Sequence, residues 1–172
     1  MIRPAALLIL MTAIPLSACG GSADGTSISL NASGDDGNVV ADVDGKTGQM
    51  SIDVPGFAGK IKMPKISLDA ENFDMNGVHL YPGSTIGGMN IDAKDGGATG
   101  KDSGMVRLNF ESPAKPDVVR AWFLKELTEA GEYKLQPEGT GLSGKSSDGK
   151  QFNLDLAPAG DNKSSGMIVI GG

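Results

Sequence analysis

The chain offers four sets of residues that could do chemistry. Gly139-Thr140-Gly141-Leu142-Ser143-Gly144-Lys145-Ser146 has the glycine, lysine and serine spacing of a loop that cradles phosphates with backbone amides. Such a loop needs a buried strand before it and a helix after it, because the amides and dipole at the helix start hold the anion. Here Lys145-Ser146 runs into Ser147-Asp148-Gly149 and then an alternating apolar/polar stretch. The reading from sequence is therefore a strand-turn-strand hairpin that binds no nucleotide. His79, the one histidine, would have to serve any Ser-His-Asp arrangement. It stands between Val78 and Leu80, so alternation turns it away from the face those two bury. A histidine-rich metal site is excluded by count.

Acidic side chains are the third set. Asp35-Asp36-Gly37-Asn38 and Asp42-Val43-Asp44-Gly45 could offer oxygens to calcium, but the second lacks the further acids and closing glutamate of a calcium-loop pattern. Asp and Asn also support tight turns through bonds to their own backbone, and that structural role is the expectation. Two carboxylates suffice for a glycosidase, so a carboxylate-dependent envelope hydrolase stays open beside it. The eight aromatic residues are too few for both a core and a sugar platform. No catalytic residue, metal or cofactor is assigned.

The fourth set is Cys19, the only cysteine. It follows Arg3, an apolar run from Ala5 to Ile14, and Leu16-Ser17-Ala18. That is the build of a secretory leader, and the run is half of the roughly 20 residues a membrane span requires. The segment resembles the lipobox of bacterial lipoproteins, in which the cysteine is lipidated and becomes the first mature residue. The resemblance implies acylation at Cys19, removal of residues 1–18, and a bilayer as partner. One acyl chain binds membranes only marginally at about 0.8 kcal/mol per buried CH₂; the diacylglyceryl group of such proteins makes attachment effectively permanent. Gly20, where Asp would favour inner-membrane retention, points to an outer membrane facing the periplasm if the source has one. With Cys19 acylated, no thiol is left for disulfides or thiolate chemistry.

Composition narrows the rest. The formal net charge is −6, which repels nucleic acid and anionic head groups. With 26 glycines and so few aromatic side chains, many turns and a thin core are expected. Residues 19–27 read as a Gly/Ser-rich flexible tether. In residues 28–98 an approximate repeat follows: Ile28 to Ala32, Met50 to Val54, Ile66 to Ala70 and Met89 to Ala93. Each copy runs apolar, small polar, apolar, Asp or Asn, then Ala or Val, so each is a half-buried strand. Val39 to Val43 and Lys60 to Met63 add two more. The irregular spacing leaves a solenoid or an irregular sheet open. This portion resembles the Gly/Asp-punctuated β-repeat domains of adhesin-like envelope proteins, which would make a calcium-stabilised module a further reading.

Residues 99–172 read as an α+β module. Met105 to Phe110 is a strand. From Asp117 to Ala130 the pattern turns helical, with Val119, Trp122, Phe123, Leu127 and Ala130 on one stripe. Ser112-Pro113 and Lys115-Pro116-Asp117 offer two possible helix starts, and Gly131 suits its left-handed end; Trp122 is the expected core plug. Tyr133 to Gln136, Gly139 to Ser143, Gln151 to Leu156 and Met167 to Ile170 are strand candidates. Tyr81-Pro82-Gly83, Ser112-Pro113, Trp122 and Ala130-Gly131 resemble a small β-α-β-β-β module of bacterial envelope proteins, with no catalytic role implied. The expected fold is mainly β with one helix (α+β), and the expected protein is an anchored envelope lipoprotein with a structural or binding role, not an enzyme.

Overall fold

The computed structural model describes residues 25–34, 37–64, 68–71, 73–75, 78–94 and 103–171. Among the described residues the fold is mainly β with a single helix. β1 (Ser27–Gly34), β2 (Gly37–Asp44), β3 (Gln49–Val54) and β4 (Phe57–Lys62) form a meander. The short β5 (Leu68–Asp69), β6 (Asp74–Met75) and β7 (Val78–His79) lead into β8 (Thr85–Lys94) and β9 (Ser103–Ser112). Helix α1 (Pro116–Glu129) is followed by β10 (Tyr133–Glu138), β11 (Gly141–Ser146), β12 (Gln151–Pro158) and β13 (Ser164–Gly171). One sheet runs in the order β10-β11-β12-β13-β9-β8-β1-β2-β3-β4, with β5 beside β8; β6 and β7 pair separately.

Local chemistry sets the turns. At the end of β2, Asp44 Oδ1 accepts from the backbone N–H of Lys46 (2.8 Å) and Thr47 (3.1 Å). This is the turn role expected of that acid, and these two bonds hold its carboxyl below the usual range. Pro55-Gly56 joins β3 to β4 with Gly56 at φ 83°, the left-handed position that glycine takes after proline in a tight turn. Tyr81-Pro82-Gly83-Ser84 closes the same way: Ser84 N–H donates to Tyr81 O at 3.0 Å and Gly83 has φ 76°. A β-carbon on Gly83 would lie 3.3 Å from the Pro113 ring, so the Tyr-Pro-Gly and Ser-Pro motifs meet in space.

The repeat is an irregular sheet, with no stacked coils. β1 and β8, its first and last copies, lie parallel and match position for position: Ile28↔Met89, Leu30↔Ile91, Ala32↔Ala93. Through β2, Ile28 and Leu30 align with Met50 and Ile52 of the second copy. In the third copy, Leu68-Asp69 pairs with β8, while residues 65–67 lie outside the described set. A bulge between Ile86 and Gly88 resets the alternation of β8, so Ile86 and Met89 share a face despite their odd spacing. The predicted junction between residues 98 and 99 falls in the undescribed stretch 95–102. The strands either side of it pair from Thr85↔Glu111 to Lys94↔Ser103, so one sheet crosses both predicted regions.

The core sits under α1. Val119, Phe123 and Leu127 pack with Leu108, Phe110, Leu142, Phe152, Leu154, Leu156 and Ile168, all nearly inaccessible. The segment after β5 adds Ala70 and Leu80. Phe123, completely buried, is the plug; Trp122 stands half-buried at the rim, edge-on to Tyr81 (5.9 Å) and to Phe123 (5.1 Å). The helix is registered one residue earlier than the pattern suggests, ending at Glu129 and leaving Ala130 exposed, while Gly131 takes the expected left-handed turn at φ 74°. Gly166 faces Phe110 across the ladder, and a β-carbon there would fall inside the Phe110 ring's contact distance; the glycine makes room for the aromatic ring. Pro137 is accommodated because β10 is an edge strand, where a missing N–H faces no partner.

Thr26 ties the entry to β1 to its neighbours β8 and β5. Its buried hydroxyl donates to Ile86 O (2.7 Å) and accepts from Leu68 N–H (2.9 Å). Thr26 and Ser27, read from composition as tether, therefore belong to the fold.

Candidate binding surface

The sequence-derived candidates scatter. The phosphate-loop spacing falls on the β10–β11 turn and on β11 itself. Gly141 to Ser146 is extended and paired on both sides. Lys145 is exposed in mid-strand opposite Lys134 and Gln151. Thr140 Oγ1 donates to Leu156 O at 2.6 Å, and Ser146 Oγ is bonded to Asp148 and, at 3.2 Å, to Lys150 O. No helix follows and no amides converge, so the loop cannot cradle a phosphate. Asp148 is held down to about 2, first by Lys150 and then by Ser146, which locks the β11–β12 turn.

His79 is exposed on β7, and its Nδ1 lies 2.9 Å from Phe73 O within its own hairpin. Asp42 lies on a half-buried strand position opposite Ser51, and Asp44 is spent on its turn. Asp35 and Asp36 lie outside the described residues, as does Cys19. Among the described residues, no three His, Cys, Asp or Glu side chains gather as a metal would need, and no helix is long and apolar enough to cross a membrane. The buried hydroxyls of Ser84, Ser112 and Ser164 have no protein partner. Ser112 and Ser164 are directly opposed in the ladder.

What the structure does assemble is a surface. Strand alternation and the register put one apolar residue after another on the same face of the sheet. The rows are Ile28, Leu30 and Ala32 on β1, Val39, Ala41 and Val43 on β2, and Met50, Ile52 and Val54 on β3. Phe57, Gly59 and Ile61 follow on β4, and Met89, Ile91 and Ala93 on β8. This face is continuous with the one α1 covers, since Met89 opposes Leu108 and Leu108 opposes Ile168. Helix α1, however, packs over β9 to β13, with its main contacts on β10 to β13. In β1 to β4 no strand residue on that face is buried, and Phe57 and Ile61 are 62% and 57% exposed. The Phe57 ring lies against Gly59, covering bare backbone on the edge strand.

No charged side chain stands on this face between β8 and β4. The charges and amides, among them Asp42, Asp53, Lys60, Lys62, Asp92 and Arg107, alternate onto the other side, where Arg107 and Asp92 pair at 3.0 Å. Toward one end the open face shelves into a shallow trough of about 980 Å³ lined by Ala32, Val39, Ile91, Ala93, Val106 and Ile170, with the charged Asp92, Lys94 and Lys150 also bordering it. It encloses too little of a small molecule to resemble a ligand pocket, which buries most of its occupant. A broad, flat, uncharged face suits a macromolecular contact. Sequence reasoning found these strands and their facing. It missed the surface because nothing local says which strands the single helix reaches. Comparison of the chain with protein-family models, curated proteins and solved structures finds no match.

Proposed function

We propose that the chain is a membrane-anchored bacterial envelope lipoprotein that works by binding, and not by catalysis. The observation that carries the binding role is the uncharged apolar face across β8 and β1 to β4, which no described residue covers with a second layer. Leaving such a face in water costs the stability its burial would supply, at about 25 cal/mol per Å², so an occupant accounts for it better than chance does. Leu16-Ser17-Ala18-Cys19 supports the anchor. The tether from Cys19 enters the fold at β1, a strand of the open face, which keeps that face near the bilayer. Gly20 favours an outer membrane facing the periplasm.

The test of the anchor is Cys19→Ala. The variant should lose labelled palmitate and move from the membrane to the soluble fraction with its fold intact. Unchanged labelling and unchanged sedimentation would end the lipoprotein reading.

A further inference from the structure

We infer that the occupant of the open face is a second copy of this chain, laid face to face so that the two open halves close into one sandwich. The proposal deepens the binding role above and rests on that reading.

Shape is the first argument. Each molecule is a step: one half of the sheet carries a second layer, made by α1 and the segment after β5, and the other half carries none. A layer packed on a sheet stands about 10 Å above it, which is also the height at which a second sheet would lie. A partner sheet on the open half therefore continues the second layer without a gap. Only one two-fold axis permits this. With the axis parallel to the strands, lateral order reverses, β4 of one copy lies over β8 of the other, and each layered half falls beyond its partner's edge. With the in-plane axis perpendicular to the strands, β4 lies over β4 and each copy's sheet collides with its partner's helix. The permitted axis keeps the strand direction of both copies, so both β1 strands start, and both tethers leave, at the same end. Two chains held by one bilayer require that arrangement.

Charge and area agree. An isologous contact lays a patch against the same patch, and because the face from β8 to β4 carries no charge, closing it buries none. Two tight-packed sheets also need apolar inner faces within about 30° of alignment, which this alternation provides. Five strands at about 4.8 Å spacing and six residues at about 3.4 Å give each face about 480 Å² in projection. The pair reaches about the 1,000 Å² that a specific interface must clear. Pairing through the β4 edge is disfavoured instead, since Lys60 and Lys62 on that strand oppose edge-to-edge association.

The axis passes near the middle strand, β2. A photo-crosslinking residue, p-benzoylphenylalanine, placed at Ala41 of the full exported chain should, on irradiation in membranes, give an adduct of two copies of this chain alone. The same residue at Asp42, on the opposite face of the same strand, should give none. Adding Ile52→Glu to the position-41 chain should abolish the adduct. The fold is checked independently by the near-ultraviolet signal of Trp122, which lies in the other half. An adduct from position 41 to lipid or to a different protein, no adduct at all, or equal adducts from 41 and 42 would overturn the proposal. Cys19→Ala reports on anchorage separately, so a lost anchor and an absent dimer give different results.

Discussion

Two strands of this protein carry the same pattern and meet opposite fates. In β12, Phe152, Leu154 and Leu156 alternate with Asn153 and Asp155, and the three apolar residues are at most 4% exposed. In β1, Ile28, Leu30 and Ala32 alternate with Ser29 and Asn31, and none of the three is buried. Pleat, register and handedness treat them alike. The difference is that α1 packs over the first and, among the described residues, nothing packs over the second. Alternation says which face of a strand prefers an apolar neighbour; it does not supply the neighbour.

That contrast gives the largest expected effect. Phe123→Ala, in the covered half, should cost about 3–5 kcal/mol, the transfer loss plus the cavity left behind. Ile52→Ala, in the open half, should cost less than about 1 kcal/mol in dilute solution, where a second copy has dissociated, because the side chain is not fully buried there. Denaturant midpoints measure both, and equal losses would mean that the open face is covered within one chain.

Next in size is the tie at the entry to β1. Thr26→Val keeps the shape of the side chain but leaves Leu68 N–H and Ile86 C=O unpaired beneath it. It should cost about 1–3 kcal/mol, read as a lowered urea midpoint. Hydrogen exchange should rise first in β5 and at the start of β8 if the hydroxyl ties these strands as described.

The smallest effect is a pH dependence confined to the covered half. Asp148 is held at about 2, below its ordinary 3.8, by Lys150 and Ser146. A carboxyl with a depressed folded value contributes stability above its unfolded value, and that contribution is lost as the pH falls from about 4 through about 2. The side chain is fully exposed, so the effect is small. Wild type and Asp148→Asn should differ slightly in urea midpoint at pH 5 and converge near pH 2; a constant difference across that range would show that the carboxylate is not what locks the turn.

Much of the fold was legible. Alternation located most of the strands, and the helical pattern over 117–130 placed the helix to within a residue, the second of its two possible proline starts being the one used. The repeat copies matched in sequence because they match in register. Two local rules hid the rest. Helical spacing cannot separate Trp122 from Phe123 as the plug, since adjacent residues on a helix both border the apolar stripe and only the docking angle chooses between them. The phosphate-loop spacing was legible as letters, yet its function depends on a following helix, and the chain after Ser146 favours a strand. The candidate surface was legible residue by residue but not as a surface.

What the sequence by itself determined is the set of strands, the side of each that is apolar, and the turns that glycine, proline and aspartate enforce. These are properties of neighbouring residues, fixed by backbone sterics and side-chain type. The tertiary structure alone decided that β1 and β8 lie parallel, that one sheet joins both predicted regions, and that the one helix among the described residues covers β9 to β13 and stops. Those are long-range choices, made by which surfaces the helix and the segment after β5 can reach together, and among the described residues they leave the apolar face of five strands uncovered.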